Sequence, residues 1–297
     1  MPKRLSIIIA YFLIYVVWGS TYYFIGVALN GFPTFLLGAL RFSIAGIILL
    51  IACMSRKEKV FTPSLVRRSA ISGIILLFID MAVIMLAQRF VSSSLVAIVA
   101  SSTAIWIMLF DFPMWKCNFH KPLKITGILL GFIGVGMLYL EQSLSSQIST
   151  HHEYGILILI AGCISWSFGT LYTKYKTSDA ENTNEFAGSA WQMLFAGGMF
   201  WICSLMFGPL HDIDMTAIPA TAWLSLTYLI TFGSLMAYSA YVWLLKVRPA
   251  TEVATHAYVN PVIAVALGAG LGNEDVTTIQ LLGLIVILLS VMLVNKK

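Results

Sequence analysis

The feature that most limits what this chain can fold into is a succession of ten apolar runs of roughly 20 residues. They cover approximately Leu5–Ile25, Thr34–Met54, Ser69–Gln88, Leu95–Trp115 and Leu123–Leu140, then Gly155–Thr173, Phe186–Phe207, Trp223–Leu245, Val253–Leu271 and Ile279–Val294. A run of that length crosses the hydrocarbon of a bilayer as a helix, the form in which one segment satisfies all its own backbone groups. The sequence therefore predicts an all-α protein of ten transmembrane helices. Composition agrees, because 59% of the 297 residues are hydrophobic and only 10% are charged. Soluble domains carry about a quarter charged residues. The start, "MPKRLSIIIAYFLIYVVWGSTYYF", has the charged head of a signal peptide. Its apolar stretch is long and bulky with no A-x-A site, which predicts a retained first helix. No linker is long or biased enough to form a separate soluble domain.

Net charge is +5, but the basic residues punctuate the apolar runs and form no stripe, which argues against a nucleic-acid partner. They set topology instead. With Lys3 and Arg4 in the cytoplasm and sides alternating, fourteen further Lys and Arg fall in cytoplasmic segments and Arg89 alone falls outside. Arg41 lies within a span. Ten spans with both termini cytoplasmic is the count that keeps this partition. The four cysteines, Cys53, Cys117, Cys163 and Cys203, show no C-x-x-C pair or metal-ligand spacing and are expected as free thiols.

The chain also repeats itself. "SSSLVAIVASSTAIW" (Ser92 to Trp106) aligns with "PATEVATHAYVNPVI" (Pro249 to Ile263), and "RFSIAG" (Arg41 to Gly46) with "QMLFAG" (Gln192 to Gly197). Trp18 matches Trp166, and "GILLGFIGVGML" after Thr126 matches "GLIVILLSVMLV" after Leu282. The expected organisation is two five-helix halves, 1–145 and 146–297. Five is odd, so the second half enters the membrane inverted. Inverted repeats of this kind build secondary transporters with a site near the bilayer midplane. Gly131, Gly134, Gly197 and Gly198 are expected at close helix crossings.

"WGSTYYFIGVAL" (Trp18 to Leu29), "LGALRFSIAGIILL" (Leu37 to Leu50), "GCISWSFGTLYTK" (Gly162 to Lys174) and "HAYVNPVIAVALGAGLGNEDVTTIQLLGLIVI" (His256 to Ile287) resemble EamA-type proteins. These belong to the drug/metabolite transporter superfamily, and the resemblance extends to its YedA-like bacterial group over nearly the whole chain. It implies an inner-membrane carrier exporting small metabolites or amphipathic drugs through a cavity lined by helices one, three, four, six, eight and nine. Two departures stand out. Ala104 occupies a place where the family often has proline, which implies that the first half is less flexed or its gate built differently. The loop after it reads "WKCNFHKP" where a Gly-Glu is usual.

Within the spans, "THAYVNPVIA" (Thr255 to Ala264) is the most polar stretch. His256 and Asn260 are four residues apart and share a helix face, and Pro261 frees the carbonyl of Ala257. The stretch reads either as a weakened helix lining a wet cavity or as a packed interface where Asn260 bonds a neighbouring helix. Tyr11, Tyr15, Trp18 and Tyr22 step along one face of the first helix, suited to cation–π or stacking contacts deeper in the membrane. Trp18, Tyr22 and Trp166 are the aromatic site candidates, with Tyr238 and Tyr241 in the eighth helix behind them. Asp80 and Arg41 have matched depth and opposite sign. They either form an ion pair, or Arg41 snorkels or binds helix-end carbonyls while Asp80 faces the cavity alone; Arg41 and Pro261 are the gating or structural candidates. Asp111 is expected to reach water. "THHEY" (Thr150 to Tyr154) lacks a third metal ligand and reads as a solvated loop, and no nucleotide, metal-protease or serine-hydrolase motif occurs.

The expected function is secondary-active export of small metabolites, amino acids or amphipathic drugs by alternating access, from the bacterial inner membrane, with no cofactor. The partners are a small-molecule substrate, the lipid bilayer and, as a candidate coupling ion, the proton. Uptake by the same fold is the alternative, and a membrane-embedded enzyme using His256 and Asp80 is the remoter one.

Overall fold

A computed structural model describes residues 4–116, 122–144, 152–177, 184–207 and 214–295. Cys117, the boundary between residues 145 and 146, and Thr150 and His151 of the "THHEY" segment lie outside the described residues. Among the described residues there is helix and no strand. In chain order the helices are α1 (Arg4–Leu29), α2 (Thr34–Ser55), α3 (Pro63–Ala87) and α4 (Ser93–Phe110). They continue with α5 (Pro122–Leu144), α6 (His152–Tyr172, prolonged by a wider turn over Thr173–Thr177) and α7 (Glu185–Phe207). The last three are α8 (Ala220–Val247), α9 (His256–Leu271, after one helical turn at Ala250–Val253) and α10 (Thr278–Asn295). Seven helices, α1 to α4 and α6 to α8, are long and apolar enough to cross a membrane. Shorter apolar helical stretches lie in α5, α9 and α10.

The outward faces are apolar, as lipid requires. Leu5, Ile8, Ile9 and Phe12 form one exposed stripe on α1, and Ile44, Ile47, Ile48 and Ile51 form another on α2. The interior carries the polar residues, including Arg41, Asp80, Gln192, His256 and Asn260. α2 packs along α7, and α5 along α10. α1 lies against α8 and α9, as α6 lies against α3 and α4, while α2 meets α8 as α7 meets α3. Exchanging each helix with the one five places away turns this set of principal neighbours into itself.

Two expectations about helix breaks change. α4 is interrupted at Ser101–Ser102 without a proline. There the Ser101 hydroxyl turns back onto the Ile98 carbonyl at 2.6 Å, competing with the backbone ladder. α9 in contrast runs unbroken through Pro261, and its interruption falls earlier, at Ala254–Thr255. Pro261 sits only five residues into the helix, so the backbone donor it lacks and the carbonyl it displaces belong to the first turns, next to that interruption. π-helical turns widen α1 at Leu13–Val17, α3 at Gly73–Ile79, α6 at Thr173–Thr177 and α8 at Leu229–Tyr238.

Three of the four glycines expected at crossings sit in them. A Cβ on Gly131 would lie 2.0 Å from Ile105 Cδ1, one on Gly134 would lie 2.7 Å from Ile287 Cγ1, and one on Gly197 would lie 2.6 Å from Ser43 Oγ. Gly198 meets nothing within 4 Å. Gly197→Ala should therefore destabilise the α2–α7 crossing by about 1–3 kcal/mol, the usual cost of overpacking. Gly198→Ala should be neutral or gain up to about 1 kcal/mol from helix propensity. Thermal unfolding of the purified variants checks the contrast, and equal melting points would contradict the crossing.

Candidate functional site

The helices enclose a narrow central cavity of about 50 Å³, room for a few water molecules. Residues from α1 (Trp18, Thr21, Tyr22), α3 (Asp80, Met81), α4, α6 (Trp166) and α9 (His256, Asn260) line it. The resemblance implied α8 as a wall, but α8 contributes no lining residue, and Arg41 of α2 lines the cavity instead. Tyr238 of α8 stands behind the wall. It is 1% exposed, donates its hydroxyl to Gln192 Oε1 at 2.7 Å and lies 6.4 Å from the Trp18 ring.

An aromatic cluster fills one side of the cavity. Trp18 meets Trp166 edge-on at 5.3 Å, Tyr241 at 5.1 Å and His256 at 5.2 Å between ring centroids. Trp166 and Tyr241 are 5.4 Å apart, and Thr170 holds the Tyr241 hydroxyl at 2.5 Å. Such pairs prefer tilted and edge-on geometry because of the ring quadrupole. The two tryptophans matched by the sequence repeat thus touch each other at the centre.

Asn260 does what the packing reading required. With its amide nitrogen turned toward the surrounding carbonyls, that nitrogen lies 2.8 Å from Tyr15 O, 2.9 Å from Ile14 O and 3.0 Å from His256 O, so its two N–H donors are shared among three acceptors. Ile14 and Tyr15 belong to the π-helical turn of α1, whose carbonyls are loosened from the regular ladder. α1 can approach that closely because Gly19 has no side chain: a Cβ there would lie 3.0 Å from Asn260 Cα. Asn260 also lines the cavity, so interhelical bonding and a place on the cavity wall coincide in one residue. His256 bonds through Nδ1 to the Val253 carbonyl at 2.9 Å, which places the proton on Nδ1 and leaves Nε2 as the acceptor. No hydrogen bond joins it to Asp80.

Arg41 and Asp80 face the same cavity, yet they form no ion pair: no guanidinium nitrogen comes within 4.0 Å of the carboxylate. Arg41 Nε donates to Ser234 Oγ at 2.9 Å instead, and its guanidinium lies 4.8 Å from the centre of the Phe42 ring. The ion-pair alternative is thereby set aside in this conformation. Asp111 is another correction. It is 2% exposed and accepts a hydrogen bond from the Tyr175 hydroxyl at 2.6 Å, so it does not reach water.

Side-chain bonds close both ends. At the end carrying most of the Lys and Arg, Tyr15 bonds Thr255 at 2.7 Å and Tyr175 bonds Asp111, while Lys174 donates to the carbonyls of Leu245 and Arg248. At the other end Glu274 spans from the loop after α9 to the start of α4. Its two oxygens accept from the backbone N–H groups of Ser93 and Ser94 at 3.1 Å and from their hydroxyls at 2.5 Å. A carboxylate on the exposed N–H groups of a helix start is favoured by both hydrogen bonding and the helix dipole. A polar vestibule of about 370 Å³ lies beside this clasp, bordered by Tyr23, Asn30, Gln88 and Glu274. One helical turn separates its Gln88 from Ile84 of the cavity wall. Sequence reasoning missed Glu274, Ser234 and the Tyr175–Asp111 bond, because each partner lies in a different run and no local pattern links them. The S-S-S before the fourth run was the available signal for a helix start.

Comparison with known proteins agrees with this architecture. The sequence profile of the EamA-like transporter family matches twice, over residues 5–140 and 153–296. An uncharacterized inner membrane transporter, YedA, of Escherichia coli (strain K12) is 33% identical over 289 residues, covering 96% of this chain and 89% of that protein. A probable amino-acid metabolite efflux pump of the same strain is 28% identical, covering 93% of this chain and 90% of its own. The transporter YvbV of Bacillus subtilis (strain 168) is 23% identical over the whole chain and 93% of its own length. A solved crystal structure superposes with a TM-score of 0.71 at 18% identity, covering 99% of this chain and 98% of that one, which shows the fold. By the two family matches and the identity over nearly its full length, the chain belongs to the EamA-like transporter family.

Proposed function

We propose that this protein is a secondary-active exporter of the bacterial inner membrane, working by alternating access between inverted five-helix halves, residues 1–145 and 146–297, with both termini cytoplasmic. One observation carries the reading. The principal helix neighbours exchange with one another on a five-helix shift, and a cavity bearing both charge signs lies where the two sets meet. All ten helices cross the bilayer in this reading, the three shorter apolar stretches included. Trp18, Tyr22, Asp80, Trp166, His256 and Asn260 contact substrate, with Tyr238 supporting Trp18 from behind. Pro261 and the interruption before His256 let α9 flex. The cavity is too small for a metabolite and both ends are bonded, which fits a closed intermediate of the cycle.

Purified protein in liposomes should exchange an unchanged solute from a panel of amino acids and cationic dyes. Trp18→Ala should slow that exchange at least tenfold while leaving the protein folded. Conversion of a panel compound to a new product, with no exchange, would contradict the transporter reading. Topology is checked in a background lacking the four native cysteines. Thr216→Cys should react with a membrane-impermeant maleimide from outside and Lys57→Cys should not. Labelling of Lys57→Cys from outside would overturn the cytoplasmic termini.

Proton coupling follows from one carboxylate facing a cavity that opens to each side in turn. Protonation removes the charge of Asp80 and favours release of a cationic group, and deprotonation favours its capture. Export should therefore accelerate when the outside is acid relative to the inside and slow when the gradient is reversed. Asp80→Asn should abolish that dependence. Exchange in the parent protein that ignores the gradient would end the proton assignment.

A further inference from the structure

Arg41 and Asp80 are two buried groups of opposite charge at one cavity, and neither is used by the other. Arg41 is 3% exposed and Asp80 is 6% exposed. The polar partners of Arg41 are neutral: Ser234 Oγ at 2.9 Å and, more distantly, Met81 Sδ at 4.0 Å. Asp80 has no hydrogen-bond or ion-pair partner among the described residues. Its Oδ1 passes over Gly162, 3.5 Å from where a Cβ would stand. Charges buried in a membrane protein are costly and are ordinarily paired.

The internal repeat shows that packing alone does not call for the charge on Arg41. Gln192 holds the matching place in α7, by the "RFSIAG" and "QMLFAG" alignment. Its Nε2 donates to Ser72 Oγ of α3 at 2.7 Å, just as Arg41 Nε donates to Ser234 Oγ of α8. A glycine adjoins each of these serines, Gly73 against the Gln192 backbone and Gly233 against the Arg41 guanidinium. A neutral amide therefore suffices to bond the second or seventh helix to its neighbour. The cation is surplus to that contact, and it faces the cavity.

Resting on the transporter reading, we infer that the substrate is a compact zwitterion whose carboxylate is taken by Arg41 and whose ammonium is taken by Asp80. A solute with one charge leaves the opposite protein charge stranded in a dry site, whereas a zwitterion satisfies both. Met81 adjoins Asp80 in sequence and touches Arg41, so the two anchors are neighbours. A guanidinium suits a carboxylate because it offers two parallel N–H donors. Trp18, Tyr22 and Trp166 then receive the body of the solute. A site built around a polar group rejects analogues lacking that group far more strongly than it discriminates among apolar side chains.

The test uses purified full-length protein in nanodiscs and in liposomes. Glycine, L-serine, L-leucine and L-phenylalanine are each compared with the corresponding amine lacking the carboxylate and the acid lacking the ammonium. At least one of the four amino acids should bind more than tenfold tighter than both of its singly charged analogues. Arg41→Gln, the residue that α7 carries at this place, should erase the preference over the amine and keep the preference over the acid. Asp80→Asn should do the reverse. These are ratios within one protein, so a variant of reduced yield still reports. Equal or tighter binding of an amine or an acid, an unchanged ratio in its own variant, or no binding of any amino acid would overturn the inference. Exchange of a cationic dye with no amino-acid binding would overturn it while leaving the transporter reading standing. Zwitterion binding without exchange of any solute would do the opposite.

Discussion

Hydrocarbon offers no hydrogen-bond partner, so polar groups brought to the middle of this bundle must be answered from within the protein or by what its cavity holds. The crossing of α1 and α9 shows how this is met. A π-helical turn loosens carbonyls at Ile14 and Tyr15, the Asn260 amide takes them up, and Gly19 lets the two backbones come close enough for it to do so. Serine and threonine hydroxyls do similar work elsewhere, as where Ser165 donates to the Ile75 carbonyl within the widened turn of α3. A helix held by side chains in place of its own ladder can change shape at limited cost. These loosened places fall in α1, α3, α6 and α8, beside the interruptions of α4 and before α9. Five of these six helices, all but α8, border the cavity.

The two ends are closed by different chemistry. At one end tyrosine hydroxyls, a buried carboxylate and a lysine on helix-end carbonyls draw the helices together. At the other a single carboxylate, Glu274, gathers four donors at the start of α4. Both sets consist of a few hydrogen bonds, each worth about 0.5–3 kcal/mol net. Such closures can be broken one end at a time, whereas the α2–α7 and α5–α10 seams are continuous. In the proposed cycle the seams hold the two halves together while the ends part alternately.

Much of this was legible in the sequence. Apolar run length located the helices to within about six residues at their ends, the largest misses being the start of α3 at Pro63 and the end of α4 at Phe110. The repeat placed Trp18 and Trp166 in equivalent positions, and the structure brings them into contact. The polar stretch of α9 stood out in the sequence, and Asn260 both lines the cavity and faces carbonyls of α1. What the sequence could not supply was rotation about the helix axis. Arg41 and Asp80 share a depth, which suggested a pair, but depth says nothing about whether two side chains point at each other. Tyr238 and Tyr241 are three residues apart, yet one bonds Gln192 behind the wall and the other joins the aromatic cluster. Glu274 stayed invisible for a similar reason, since its partners are about 180 positions away.

The central claim is that this one cavity is opened at alternate ends. Spin labels at Asn30 and Asp275 report on the Glu274 end, and labels at Arg4 and Lys176 report on the basic end. Distances measured by pulsed electron resonance in nanodiscs, across pH and with a transported amino acid present, should change in opposite directions. When one pair widens, the other should narrow. If both pairs widen together, or both keep a single distance under conditions where liposomes exchange solute, alternating access between these halves is contradicted.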